Sequence, residues 1–141
     1  MMRMDIDFGK PLTAAWDANT TCGRAFEAFR TAFEYGETAD FLALVTDDFR
    51  FSVPLPYDEW KEPQFGRQRF IELVQFEREV LQVALIPLFQ LFDSQYGVVV
   101  FRAEGLLSNQ PYHNVLTVVF EFKGGRIRSF HEFVGMPLKN Y

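Results

Sequence analysis

From Val83 onward the chain is almost all strand-forming sequence. Four apolar stretches, VALIPLFQLFD, YGVVVFRAEGLL, YHNVLTVVFEF and RIRSFHEFVG, follow one another with only short separators between them. Those separators are Ser94-Gln95, Ser108-Asn109-Gln110-Pro111 and Gly124-Gly125, residue types suited to tight turns. Strands joined so closely pair with neighbours running the opposite way, because a parallel pair needs a crossover of a dozen or more residues. The second half of the chain therefore reads as an antiparallel meander. Pro87 has no amide donor, which puts the first of these strands at an edge or on a bulge.

The first half has a different period. TTCGRAFEAFRTAFEYGE places Phe26, Phe29 and Phe33 on one helical face, with Thr20 or Thr21 as cap and Gly36 as stop. TADFLALVTDDF gives a shorter helix carrying Phe41, Leu42 and Val45, after which Phe49, Phe51 and Val53 alternate with Arg50 and Ser52 as in a half-buried strand. PLPYDEWKEPQFG reads as a loop, and Phe70, Leu73, Val74, Glu77 and Leu81 mark an amphipathic helix from Arg67. Helices followed by a curled sheet make an α+β domain with helices covering one sheet face. Residues 1–20 read as a loose lead-in and residues 21–141 as one domain.

Composition narrows the function. Phe alone fills 17 positions of 141, and hydrophobic residues make up 48%. That load argues for a wide apolar interior, which becomes a ligand pocket if the rings line it rather than fill it. A net charge of -5, with no cluster of Lys and Arg, argues against a nucleic-acid partner. Cys22 is the sole cysteine, so neither an intrachain disulfide nor a thiolate metal site can form. Asp5, Asp7 and Lys10 interrupt the start where a signal peptide needs apolar residues, and no apolar run of about 18 residues occurs. The expectation is a cytoplasmic protein with no membrane partner.

Three segments in succession, AFEYGETADFLALVTDDFRFSVP, GRQRFIELV and YHNVLTVVFEFKGGRIRSFHEFVGMP, resemble the SnoaL-like branch of the nuclear transport factor 2 superfamily. Polyketide cyclases, ketosteroid isomerases, limonene epoxide hydrolases and the phenazine biosynthesis A/B proteins are relatives there. The resemblance implies a cone-shaped, cystatin-like α+β fold whose curved antiparallel or mixed sheet is packed by N-terminal helices. It also implies a deep apolar pocket and a homodimer. A steroid isomerase uses an aspartate base with a tyrosine and a protonated aspartate as donors. Matching through TDDFRFSVP puts Val53, Phe29 and a position on or near Val118 in those places, so that design is absent.

The polar candidates follow from strand parity. Tyr112, Asn114, Leu116, Val118, Phe120 and Phe122 share one face of their strand, and the Phe-bearing face should look inward. Asn114 then either orients a substrate oxygen or ties down a neighbouring segment. Glu132 shares a face with Phe130 and Val134, where desolvation would raise its pKa toward that of a general acid or base. The resemblance to the phenazine A/B group also places a pocket glutamate there. The competing reading for Glu132 is a salt bridge to Arg102, Arg126 or Arg128. His131 points the other way unless a bulge intervenes. Tyr57 and Trp60 either close over a ligand or plug the loop against the helix.

The expected pocket wall is thus Tyr57, Trp60, Phe29, Phe33, Val53, Val118, Phe120, Phe130 and His131, around catalytic Glu132 and Asn114, without metal or cofactor. The function expected of it is isomerisation, cyclisation or dehydration of a small apolar cyclic metabolite. The alternative is a binding or scaffold protein of the same fold. Val115, Thr117 and Val119 make the outer face apolar as well, which points to a homodimer.

Overall fold

The computed structural model of the chain describes residues 16–137. Most of the expected lead-in lies outside them. Residues 16–20, which the sequence reading counts as loose, are tied down: the Trp16 ring meets Phe26 edge-on at 5.5 Å, and Gln90 Nε2 donates to the Asp17 carbonyl.

Helix α1 (Thr21–Tyr35) begins where the Thr20 hydroxyl accepts from the Gly23 amide and ends at Gly36, whose φ of 75° suits a residue without Cβ. Its inward face carries Cys22, Ala25, Phe26, Phe29, Ala32 and Phe33. A short helix α2 (Ala39–Leu44) leads into β1 (Val45–Ser52), so Val45 starts the strand rather than ending the helix. The proline-rich segment holds a turn of helix, α3 (Asp58–Lys61), and a two-residue strand, β2 (Gln64–Phe65). Helix α4 (Arg67–Val80) then runs without a loop into β3 (Leu81–Phe92). The meander follows as β4 (Tyr96–Leu107), β5 (Gln110–Lys123) and β6 (Arg126–Pro137).

The six strands form one mixed sheet in the order β2-β1-β6-β5-β4-β3. All neighbours are antiparallel except β1 with β6, which are parallel. Gly124 and Gly125 (φ 59° and 76°) turn β5 into β6, the pair of positive dihedrals that fits the strands' right-handed twist. Pro87 satisfies both halves of its constraint: β3 is an edge, and its register with β4 shifts between Pro87 and Phe89.

Register in β6 decides which side chains reach the interior. Glu121 faces Ser129 while Phe122 faces Ile127, so Arg128 is an extra residue and the inward parity switches there. Ile127 is buried before the bulge. After it, Phe130, Glu132 and Val134 point inward, while Ser129 and His131 take the outer face, where Ser129 donates to Glu121 and His131 Nδ1 bonds to Ser52 Oγ. A second shift, between Asn114 and Leu116, lies opposite the end of β6.

Candidate functional site

Between the end of α4 and the strands β3 to β6 lies a cavity of about 300 Å³. Phe29 and Phe33 of α1, Val83 and Leu85 of β3, Phe101 and Ala103 of β4, and Leu116 of β5 form its apolar wall. Pro54, Leu55, Pro56 and Tyr57 border it from the segment before α3. Four lining residues carry a polar side-chain group: Tyr57, Glu77, Tyr112 and Glu132. None of the residues lining it is Lys, Arg or His.

Glu132 is where the strand parity puts it, on the cavity side of β6. The three arginines of the competing salt-bridge reading are engaged elsewhere: Arg102 with Glu104 (2.8 Å), Arg128 with Asp48 (3.3 Å), and Arg126 with the Val45 carbonyl. Glu132 has no hydrogen bond or ion pair among the described residues. Burial pushes its carboxyl up to about 7.

Glu77 was legible only as one more position in a helical pattern. It follows Phe70, Leu73 and Val74 on the inward face of α4, and at the helix's last turn that face looks into the cavity. A carboxylate at a core-facing helical position was the signal available in the sequence. Its pKa is raised well above the usual carboxylate range, first by desolvation and then by the charge of Glu132. Two carboxyls that feel one another in an apolar site cannot both ionise cheaply near neutrality, so the pair retains a proton. Such a pair can offer an acid and a base side by side.

Tyr112, placed by parity on the inner face of β5, also lines the cavity. Its phenol is held neutral by burial and by the charges of Glu132 and Glu77, against the lowering effect of its bond to Asn114. Asn114 corrects the expectation made for it. It is buried and does not line the cavity: its Oδ1 accepts from the Val115 amide (2.9 Å), which orients Nδ2 to donate to the Tyr112 oxygen (3.1 Å). Because that oxygen is already accepting, the Tyr112 proton is left to donate into the cavity. Asn114 positions Tyr112 instead of meeting a ligand itself.

Several other expected wall residues prove to be packing. Val118, Phe120 and Phe130 are fully buried in the ring-filled part of the interior, and Val53 is buried beside it; none lines the cavity. His131 is excluded because it lies on the outer face with Ser52. Trp60 takes the plug role: it is 2% exposed, packed 5.9 Å from the Phe76 ring and covered by the Arg69 guanidinium at 4.2 Å. Arg69 is fixed in turn by Glu59, Glu72 and Gln64. Tyr57 does border the cavity, 54% exposed and edge-on to Phe76 at 5.4 Å. Phe29 and Phe33 line it as expected.

The sequence pattern of the SnoaL-like domain matches residues 26–130, well over half of the chain. The chain belongs to the SnoaL-like domain family. No curated protein matches it. Among solved structures, an NTF2-like protein from Anabaena variabilis is similar at 28% identity and a TM-score of 0.74, over 82% of this chain and 87% of that one. A protein from Rhodopseudomonas palustris provisionally named an isomerase shares the fold at 12% identity and a TM-score of 0.71, over 82% and 90%. A protein of ketosteroid isomerase-like fold from Catenulispora acidiphila, solved with trimethylamine, shares it at 11% identity and a TM-score of 0.65, over 77% and 83%. The SnoaL-like fold is therefore the chain's own. Among the described residues no helix is long and apolar enough to cross a membrane.

Proposed function

We propose that this SnoaL-like chain is a cofactor-independent acid/base enzyme, of isomerase, cyclase or dehydratase type, acting on a small apolar cyclic metabolite. The observation that carries the reading is the pairing of Glu77 and Glu132 across one apolar cavity with Tyr112. In an isomerisation, the ionised member of the pair takes a proton from the carbon next to a carbonyl. The Tyr112 O–H donates to the oxygen as negative charge develops there, the role served by an oxyanion donor. The protonated member returns a proton at a second carbon. The pair ends with the one proton it began with, moved between carboxyls, so no other reagent is consumed. Tyr57, at the border of the cavity, shields the site.

Solvent-deuterium exchange tests this without a known substrate. Small cyclic ketones are incubated with the protein in D₂O, and NMR follows loss of the protons next to the carbonyl. Exchange in the wild type that falls about 100-fold or more in Glu132→Gln, the scale for loss of a general acid or base, supports the reading. Binding of the same ketones with no exchange assigns the chain to the alternative, a binding protein of the same fold.

The reading places the protein in the cytoplasm, with no bound cofactor. It also takes the chain to pair with a second copy through the outer sheet face of Val115, Thr117 and Val119, to which Phe133 (56% exposed) adds apolar area. Sedimentation of a dimer that dissociates in Val119→Glu supports that pairing, and a wild-type monomer at micromolar concentration refutes it.

A further inference from the structure

We infer that the cavity takes its ligand as a cation, an otherwise apolar amine whose ammonium group sits between Glu77 and Glu132. This rests on the reading that both carboxyls face one cavity, and it names a ligand class that holds both of them ionised, unlike the one-proton pair of the acid/base step.

The inference comes from charge complementarity in a cavity with an apolar wall. Two carboxyls enter the cavity, and no Lys, Arg or His lines it. Neither carboxyl has a hydrogen bond or ion pair among the described residues, although desolvation acts on both. The other titratable groups bordering the space are the phenols of Tyr57 and Tyr112, which bring no positive charge. Buried carboxylates elsewhere in proteins are paired. Here the missing partner can arrive with the ligand. An ammonium offers charge-assisted hydrogen bonds to both oxygens, while its hydrocarbon body meets Phe29, Phe101, Leu85 and Leu116. An anionic ligand meets two carboxyls and no counter-charge, so the same cavity rejects carboxylates and phosphates.

Proton balance gives the idea a second readout. The pair holds a proton near neutrality, and an ammonium between the two groups favours both as carboxylates. Binding therefore releases up to about one proton to solvent, and affinity for the ammonium weakens as pH falls through and below about 7, where Glu132 becomes protonated in the free protein.

The test uses three probes with the same ring: cyclohexylamine, cyclohexanol and cyclohexanecarboxylate, titrated calorimetrically into the full chain at pH 7.5 in two buffers of different ionisation enthalpy. The expected result is cyclohexylamine binding at least about 10-fold more tightly than cyclohexanol, with net proton release, and no detectable cyclohexanecarboxylate. In Glu77→Gln/Glu132→Gln the preference for the amine disappears while cyclohexanol binding persists, which also shows that the cavity is intact. Equal or tighter binding of cyclohexanol by the wild type overturns the inference, as does a preference that survives in the double variant. Failure here is distinct from failure of the acid/base reading: ketone exchange lost in Glu132→Gln stands without any amine preference, and an amine preference stands without exchange.

Discussion

The interior has two ends, made of similar apolar residues, and only one of them is full. Toward β1 and β6, Phe41, Phe49, Phe51, Phe70 and Phe130 close the space with ring centroids 4.4 to 6.2 Å apart, each at most 1% exposed. Phe51 and Phe130 lie stacked at 5.1 Å on paired positions of parallel strands. Toward β3 the inward residues are shorter, Val83, Leu85, Ala103 and Leu116, and about 300 Å³ stays open. Phe29 and Phe33 stand on the border, touching rings on one side and the cavity on the other. What separates the two ends is side-chain length and the two carboxyls, which cannot be packed against rings without a partner. The filled end holds the fold, and the open end is free to bear polar groups that the fold does not need.

Substitutions at each end should therefore fail in different ways. Phe130→Ala, in the filled end, should cost about 3–5 kcal/mol of unfolding free energy, the range for deleting a core aromatic ring. Chemical denaturation measures it, and a cost below about 1 kcal/mol would mean that this end is loosely packed after all. Glu132→Gln, in the open end, should do the reverse: activity falls about 100-fold or more while the fold is kept. A stability loss with unchanged ligand affinity would return Glu132 to a structural role.

The same residue should shape stability against pH. The carboxyl of Glu132 titrates near 7 in the fold against 4.5 in an unfolded reference, so the folded state binds more protons between those values. The contribution of Glu132 to stability falls as pH rises from about 4.5 to 7, by on the order of 3 kcal/mol at most, and the raised carboxyl of Glu77 adds a further fall of the same sign. Glu132→Gln should flatten that slope and unfold at a higher temperature than the wild type at pH 8. A wild-type profile already flat over this window would show that Glu132 titrates as an ordinary surface acid.

Smaller effects should sharpen the border between the ends. Ala103→Leu adds bulk to the cavity wall and should abolish ligand binding while changing stability by less than about 1.5 kcal/mol, because the volume it fills is empty. Tyr112→Phe should lower exchange by about 10-fold, and Asn114→Ala by less, since Asn114 acts through the phenol. Equal losses in the two would place Asn114 in direct contact with the ligand.

Much of this was legible in the sequence because it depends on local chemistry. Turn residues at Gly124-Gly125, the cap at Thr20, the stop at Gly36 and the edge position of Pro87 all follow from dihedral preference or a missing amide. Alternation on β5 gave its inner face directly, and the parity of Glu132 with Phe130 and Val134 needed only that β6 be regular beyond Ser129. Tertiary structure alone decided which inward side chains line a cavity and which fill a core. Periodicity cannot make that distinction for Phe130, Val118 or Phe120, since a lining residue and a buried one share the same face. It also decided that Glu77 meets Glu132: 55 residues separate them, and only the placement of α4 across the concave side of the sheet brings a helical position and a strand position to one apolar space.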